Sequence, residues 1–243
     1  MFNAKETKDQ IIAWIAEYFR DNADPDTKAV IGISGGKDSS IVAALCVAAL
    51  GAERVLGVLM PQGRQDDIEV SFKLCRTLGI RYVETNIGQT AKALLSEIKR
   101  TGLAINNIAK FNTPARVRMT MLYAISGIVG GRVANTGNLS EAWVGYSTKF
   151  GDGAGDFGPL KKLTATEAKA IGRELGLAPE FVDKVPEDGL TGRTDEDNLG
   201  FTYETLDKYI REGVCEDKEA KEKIDKLHSI SRHKANPMPA FEL

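Results

Sequence analysis

The stretch VIGISGGKDSSIVAALCVAAL at residues 30–50 decides how the chain is read. It opens on a short β-branched run, Val30, Ile31, Gly32 and Ile33, whose pattern predicts a buried strand. A turn follows, Ser34-Gly35-Gly36-Lys37-Asp38-Ser39-Ser40, and then an uncharged run of high helix propensity at 41–50. Strand, glycine turn and helix is how an α/β sheet offers backbone N–H groups to an anion. The two glycines let the backbone approach a phosphate with no Cβ in the way. Ser39 and Ser40 add hydroxyl donors, and the positive end of the helix faces the turn. Asp38 runs against this trend, because a carboxylate repels phosphate unless a cation lies between them. The turn is therefore read as a place for Mg²⁺ carried on a nucleotide's phosphates, with Asp38 as a metal ligand. Its spacing is neither Gly-x-x-x-x-Gly-Lys-Ser/Thr nor Gly-x-Gly-x-x-Gly.

Around this stretch, strands and helices alternate. A helix at 5–22 carries Ile11, Ile15, Tyr18 and Phe19 on one face. Strands are predicted at 54–60, 80–84 and 132–136, and helices at 65–78, 88–100, 113–128, 166–175, 202–212 and 217–233. This order implies right-handed crossovers and a doubly wound, mostly parallel sheet with helices on both faces. Ligands of such a sheet lie beyond the carboxyl ends of the strands. The segment 101–112 is a polar connector. Thr113 and Pro114 read as the N-cap and first position of the next helix. That helix is apolar on nearly all faces over 119–129, which fits either a fully internal helix or one packed on a second subunit. The glycine-rich segment at 148–156 suits neither helix nor strand and is read as a shaped loop at the carboxyl side of a strand. Residues 186–198 read as a mobile, acidic loop, either a lid over the nucleotide or a solvated linker.

The 243 residues suit a single domain: the N-terminal helix, a nucleotide-binding core at 28–185, the mobile loop, and C-terminal helices with a tail at 202–243. There are 34 acidic against 32 basic residues, and this near balance argues against a nucleic-acid partner. Cys46 and Cys75 sit in apolar patterns and read as core. No Cys-x-x-Cys pair is present, which fits a reducing, cytoplasmic setting. No signal-like segment and no membrane span is read.

Ser-Gly-Gly-x-Asp-Ser after an apolar strand resembles the signature of the N-type ATP pyrophosphatases. Further motifs narrow this. They are GISGGKDS at 32–39, ARVRM at 115–119, NTGNLSE at 135–141, TKFGDGAGDF at 148–157, TDEDNLGFTY at 194–203 and HK at 233–234. Their order and coverage resemble the ammonia-dependent NAD⁺ synthetases. The resemblance implies that deamido-NAD⁺, ATP and ammonia give NAD⁺, AMP and pyrophosphate through an adenylated carboxylate, with Mg²⁺ and a homodimer. It implies that Gly32, Ile33, Ser34, Gly35, Gly36, Lys37, Asp38, Ser39 and Thr136 hold ATP, and that Asp38 and Glu141 hold the metal. Arg116, Lys149, Asp156, His233 and Lys234 match positions that hold deamido-NAD⁺. Asp38, Lys149 and Asp152 are the catalytic candidates. By themselves, Arg116 also reads as a solvated helix charge and His233 as a surface histidine.

Two positions depart from the family pattern. Ala165 stands where many members carry a lysine that touches ATP, with Lys161 or Lys162 nearby as a replacement. Glu187 stands where a threonine contacts ATP. A glutamine-dependent form would require an added amidase domain, so free ammonia, or ammonia passed from a separate protein, is expected. The alternatives are another N-type amidotransferase, a tRNA-thiolating relative, and a non-catalytic ATP-binding sensor. Thiolation would favour a positioned cysteine and a basic surface. A sensor has no need of Glu141, Lys149 and Asp156 together.

Overall fold

In the computed structural model, residues 2–183 and 194–241 are described. Alternate side chains of the first strand point to opposite sides, and each side finds its own core. β1 (Lys28–Gly32) sends Ala29 and Ile31 one way and Val30 the other, all fully buried. With β2 (Val55–Leu59), β3 (Arg81–Glu84) and β4 (Gly131–Val133) it forms a parallel sheet in the order β3-β2-β1-β4. Among the described residues these are the four strands of the sheet, and the expected parallel α/β architecture holds.

On the Ile31 side lie α1 (Ala4–Asn22), α2 (Lys37–Leu50), α3 (Ile68–Thr77), α7 (Ala165–Glu174) and the short α8 (Pro179–Val182). They bury Ile15, Phe19, Ile41, Leu45, Leu74, Ile171 and Phe181 in one cluster. On the Val30 side, α4 (Gly88–Arg100) and α5 (Asn107–Val129) pack Ala91, Val117, Met119 and Leu122 against Val58 and Val133. A third cluster joins α6 (Leu139–Val144), α9 (Asp195–Leu199), α10 (Tyr203–Glu212) and α11 (Lys218–Ala235) around Val144, Leu199, Leu206 and Ile224. No described helix is long and apolar enough to cross a membrane.

The chain steps outward from β1 to β3, then returns over α4 and α5 to place β4 on the other side of β1. The carboxyl ends of β1 and β4 therefore flank a switch point, where a crevice for ligand opens. The glycine turn leaves β1 there, and 134–141 leaves β4.

Three expectations need correction. Thr113 does not cap α5. Asn106 does, its side chain accepting the Ala109 N–H at 2.9 Å, so the helix begins at Asn107. The cap outweighs the weak apolar pattern of 107–112, and Pro114 lies buried in the helix interior. α5 is also not internal on all sides: Ile128 is 83% exposed and Tyr123 40%. The reading of a fully internal helix fails because the sheet covers only one face of it. Finally, the end of the expected mobile loop is a capped helix. Thr194 and Asp197 form a capping box at α9. Glu187 and the segment up to residue 193 lie outside the described residues.

Candidate active site

The glycine turn is held by its own side chains. The Ser34 hydroxyl accepts the Gly36 N–H at 3.2 Å. Ser39 and Ser40, expected as phosphate donors, give their hydroxyls to the Gly36 carbonyl at 3.0 and 2.9 Å. The Ile33 side chain belongs to the core, and its N–H bonds the Val58 carbonyl at 2.9 Å, so the backbone beyond it forms the cradle. Gly35 has φ +79°, and a Cβ there would stand 2.9 Å from Ser71 Oγ. Conformation and space both require glycine at that point.

Asp38 opens α2. Its Oδ2 accepts from Lys37 Nζ at 2.6 Å, while its Oδ1 is buried without a hydrogen-bond partner. Glu141 arrives from the β4 side. Asn138 caps α6 and takes the Glu141 N–H at 3.0 Å, and Glu141 Oε2 takes the Asn138 N–H at 3.1 Å, so a capping box fixes this carboxylate. The residue as a whole is partly accessible, but its carboxyl group lies deep among packed neighbours. Burial, then the nearby Asp38 carboxylate, pushes it up to about 8, against the pull of Lys37. Residues 103 positions apart in sequence (141 minus 38) are thus close enough to repel one another electrostatically.

Buried like charges and an orphaned carboxylate oxygen are what a hard cation satisfies. Among the described residues no group of three or more His, Cys, Asp or Glu could hold a metal. Two carboxylates suit Mg²⁺, which usually keeps waters and substrate phosphates as its other ligands.

Cations surround this pair. Burial would lower Lys37, but Asp38, Glu141 and Asp195 outweigh it and hold its pKa above the ordinary value. Of the two lysines offered as replacements, Lys161 lies beside Glu141. A Cβ on Gly137 would lie 3.4 Å from Lys161 Nζ and 3.5 Å from Glu141 Oε2. Burial lowers Lys161, opposed by Glu141 and Asp152. Ala165 is packed in the third cluster, and its N–H bonds Ser140 Oγ at 2.9 Å. Thr136 lies between Asn135 and Gly137 in the segment leaving β4, and it is half-buried.

The residues matched to the second substrate gather around the shaped loop. Arg116 Nε donates to the Lys149 carbonyl at 3.2 Å. Lys149 Nζ donates to the His233 carbonyl at 2.6 Å, and Lys234 Nζ to the carbonyls of Gly145 and Ser147 at 2.7 and 2.9 Å. His233 itself turns its ring to the Ile230 carbonyl at 3.0 Å. Tyr123, Lys149, Phe150, Gly153–155, Lys234 and 236–238 line a cleft of about 300 Å³. A larger, shallower depression on the outer face of α1 has no convergent chemistry.

The two aspartates of the shaped loop brace it. Asp152 Oδ1 accepts the Thr148 N–H at 3.0 Å. Asp156 accepts from Tyr123 Oη at 3.1 Å and from the Val133 N–H at 2.7 Å, so both of its oxygens are engaged within the fold.

Sequence reasoning passed over Arg118, although it lies in the quoted ARVRM motif. Its Nε donates to the Met60 carbonyl at the end of β2 at 3.0 Å, and burial, opposed by Asp152, lowers its pKa. Spacing on the helix, two residues beyond Arg116, could have separated an outward from an inward arginine. It also assigned no role to Asp195 and Tyr203.

The fold and this crevice define an α/β protein with a glycine turn at the carboxyl edge of a parallel sheet and two carboxylates beside it. The NAD synthase family model matches residues 7–240, and the chain belongs to that family. It is 35% identical over 240 residues to the NH3-dependent NAD⁺ synthetase of Pyrococcus furiosus, covering 93% of this chain and 91% of that one. Among solved structures, NMN synthetase from Francisella tularensis superposes with a TM-score of 0.91 at 30% identity, covering all of both chains. NH3-dependent NAD synthetase from Campylobacter jejuni gives 0.81 at 25% identity, again over both whole chains.

Proposed function

We propose that this protein amidates deamido-NAD⁺ with ammonia at the expense of ATP, giving NAD⁺, AMP and pyrophosphate, with Mg²⁺ held by Asp38 and Glu141. The observation that carries the reading is the Asp38–Glu141 pair, brought together beside an anion-binding turn with one buried oxygen unpartnered. Bound there, Mg²⁺ would neutralise phosphate charge. The glycine turn, the start of α2, Lys37 and Lys161 orient the triphosphate. Arg116, Lys149 and Lys234 suit a substrate bearing a pyrophosphate and a free carboxylate. The nicotinate carboxylate oxygen attacks the α-phosphorus and pyrophosphate leaves. Ammonia then attacks the carbonyl carbon, loses a proton and expels AMP. The protein's contribution is positioning and charge neutralisation. Purified protein with deamido-NAD⁺, ATP, Mg²⁺ and ammonium should release NAD⁺ and pyrophosphate only when all four are present. ATP binding without substrate-dependent pyrophosphate would favour the sensor reading.

The full-length likeness to an NMN synthetase favours a second reading, in which the mononucleotide is the acid that is amidated. Comparing kcat/KM for nicotinate mononucleotide and deamido-NAD⁺ decides between them.

The protein is further read as a cytoplasmic homodimer. Leu94 on α4 and Ile108, Phe111 and Ile128 on α5 are each exposed. Of these, Ile128 exposes the most apolar surface, at the end of α5 read as packing on a second subunit. Ile128→Glu should convert a dimeric mass to a monomeric one in light scattering.

A further inference from the structure

The motif TDEDNLGFTY at 194–203 is not accounted for by the reaction above, yet almost every member of it serves to present one ring. Thr194 and Asp197 cap α9, and Leu199 and Phe201 anchor it in the third cluster. Gly200, at φ +77°, turns the chain back. Glu196 Oε1 then takes the Tyr203 N–H at 2.8 Å, and Asp195 Oδ2 takes the Tyr203 hydroxyl at 3.3 Å. The ring so fixed lies under Lys37, whose Nζ is 5.6 Å from the ring centroid. Both residues are 7% exposed.

Lys37 needs such support. It is the first residue of α2, where the helix end is positive and a cation is of the wrong sign. Asp38 Oδ2 holds its ammonium at 2.6 Å. A metal ligand cannot give that oxygen wholly to a lysine. When Asp38 turns to a cation, the ring face and the field of Asp195 are the contacts that keep Lys37 at the mouth of the turn. A desolvated ammonium over an aromatic face is held by the ring's quadrupole.

We propose that Tyr203 is a positioning residue for Lys37, holding the ammonium against the nucleotide turn through the face of its ring, with Asp195 fixing the far end of that ring. The proposal rests on reading the turn as the Mg·ATP site. It does not rest on the identity of the second substrate. The test is equilibrium binding of Mg·ATP by titration calorimetry, beside KM values for both substrates. Tyr203→Leu, checked for a native thermal transition, should weaken Mg·ATP roughly tenfold and leave the KM for deamido-NAD⁺ in place. Tyr203→Phe keeps the ring and should recover most of the affinity. In a Lys37→Met background, Tyr203→Leu should have little further effect, because the ring acts through the ammonium.

Unchanged Mg·ATP affinity in folded Tyr203→Leu overturns the role, as does a Phe variant as weak as the Leu variant, or a full tenfold loss without Lys37. If Tyr203→Leu does not fold, Tyr203→Met is read by the same criteria. A wild type that shows this binding pattern but makes no NAD⁺ supports the positioning role and overturns the proposed reaction. A wild type that does not bind Mg·ATP overturns both.

Discussion

Asp38 and Asp207 are both largely buried aspartates near α6, and their surroundings are opposite. Asp207, on α10, has both oxygens filled: it accepts the Ser140 hydroxyl and, at 2.8 Å, the Thr166 N–H. Ser140 Oγ in turn takes the Ala165 N–H, so α6, α7 and α10 are tied at one point. Asp38 has one oxygen on Lys37, the other on nothing, and a second carboxylate close by. The first arrangement is complete within the chain. The second is complete only with something added. Ser140 and Glu141 are neighbours in sequence and belong one to each. The satisfied aspartate thus braces the short helix from which the Glu141 carboxylate projects.

The comparison breaks most visibly at Asp38. Asp38→Ala should lower turnover roughly a thousandfold, the scale of losing a charge-stabilising group at a reacting centre, while the protein still folds and melts in one cooperative transition. Pyrophosphate release and a thermal melt check the two halves. Full turnover in this variant would remove the metal role. Asp207→Ala should show the reverse pattern. It leaves Ser140 and the Thr166 N–H unpaired in a buried place and should cost about 3 kcal/mol of stability. Denaturant unfolding measures that loss, and kcat per folded molecule should fall much less than in Asp38→Ala.

The smallest effect is a pH slope. Glu141 is raised from 4.5 to about 8 by burial and Asp38, so the folded state binds a proton there that the unfolded state has released. Its contribution to stability is fully present below about 4.5 and is lost as pH rises toward 8. Ligand-free protein should therefore become less stable across that window, and Glu141→Gln should flatten the slope. Metal binding needs the ionised carboxylate, so Mg·ATP should bind more tightly at pH 8 than at pH 6, with proton release visible by calorimetry in buffers of different ionisation enthalpy.

Much of this was legible in the sequence, for reasons that differ by residue. The alternation of β-branched and helical runs, together with the glycine turn, specified the parallel sheet and the place of the crevice. Asp38 stood out because its charge contradicts its setting, and its Oδ1 is indeed buried without a hydrogen-bond partner. Asn106 was missed because a cap is a single polar residue in a polar stretch, and the proline seven residues into the helix looked like a beginning. The solvent-facing side of α5 was missed because apolar composition does not say which neighbours are available. Asp156 reads as a substrate contact by motif, yet its oxygens brace Tyr123 and β4, a use that only tertiary placement reveals. Tyr203 was hidden by distance, since 166 positions (203 minus 37) separate its ring from the ammonium it faces.

One feature of the C-terminal helix bears on how the molecule comes into being. A Cβ at Gly145 would stand only 2.1 Å from Ser231 Cβ, so α11 presses against the end of α6 through a missing side chain, and Lys234 is pinned to the Gly145 and Ser147 carbonyls. Lys234 and residues 236–238 also form one wall of the cleft that begins with Tyr123 and Lys149. Residues 234–238 follow the glycine turn in sequence, so translation makes the turn before it makes this wall. A nascent chain can therefore form the glycine turn before it has the residues that complete this cleft.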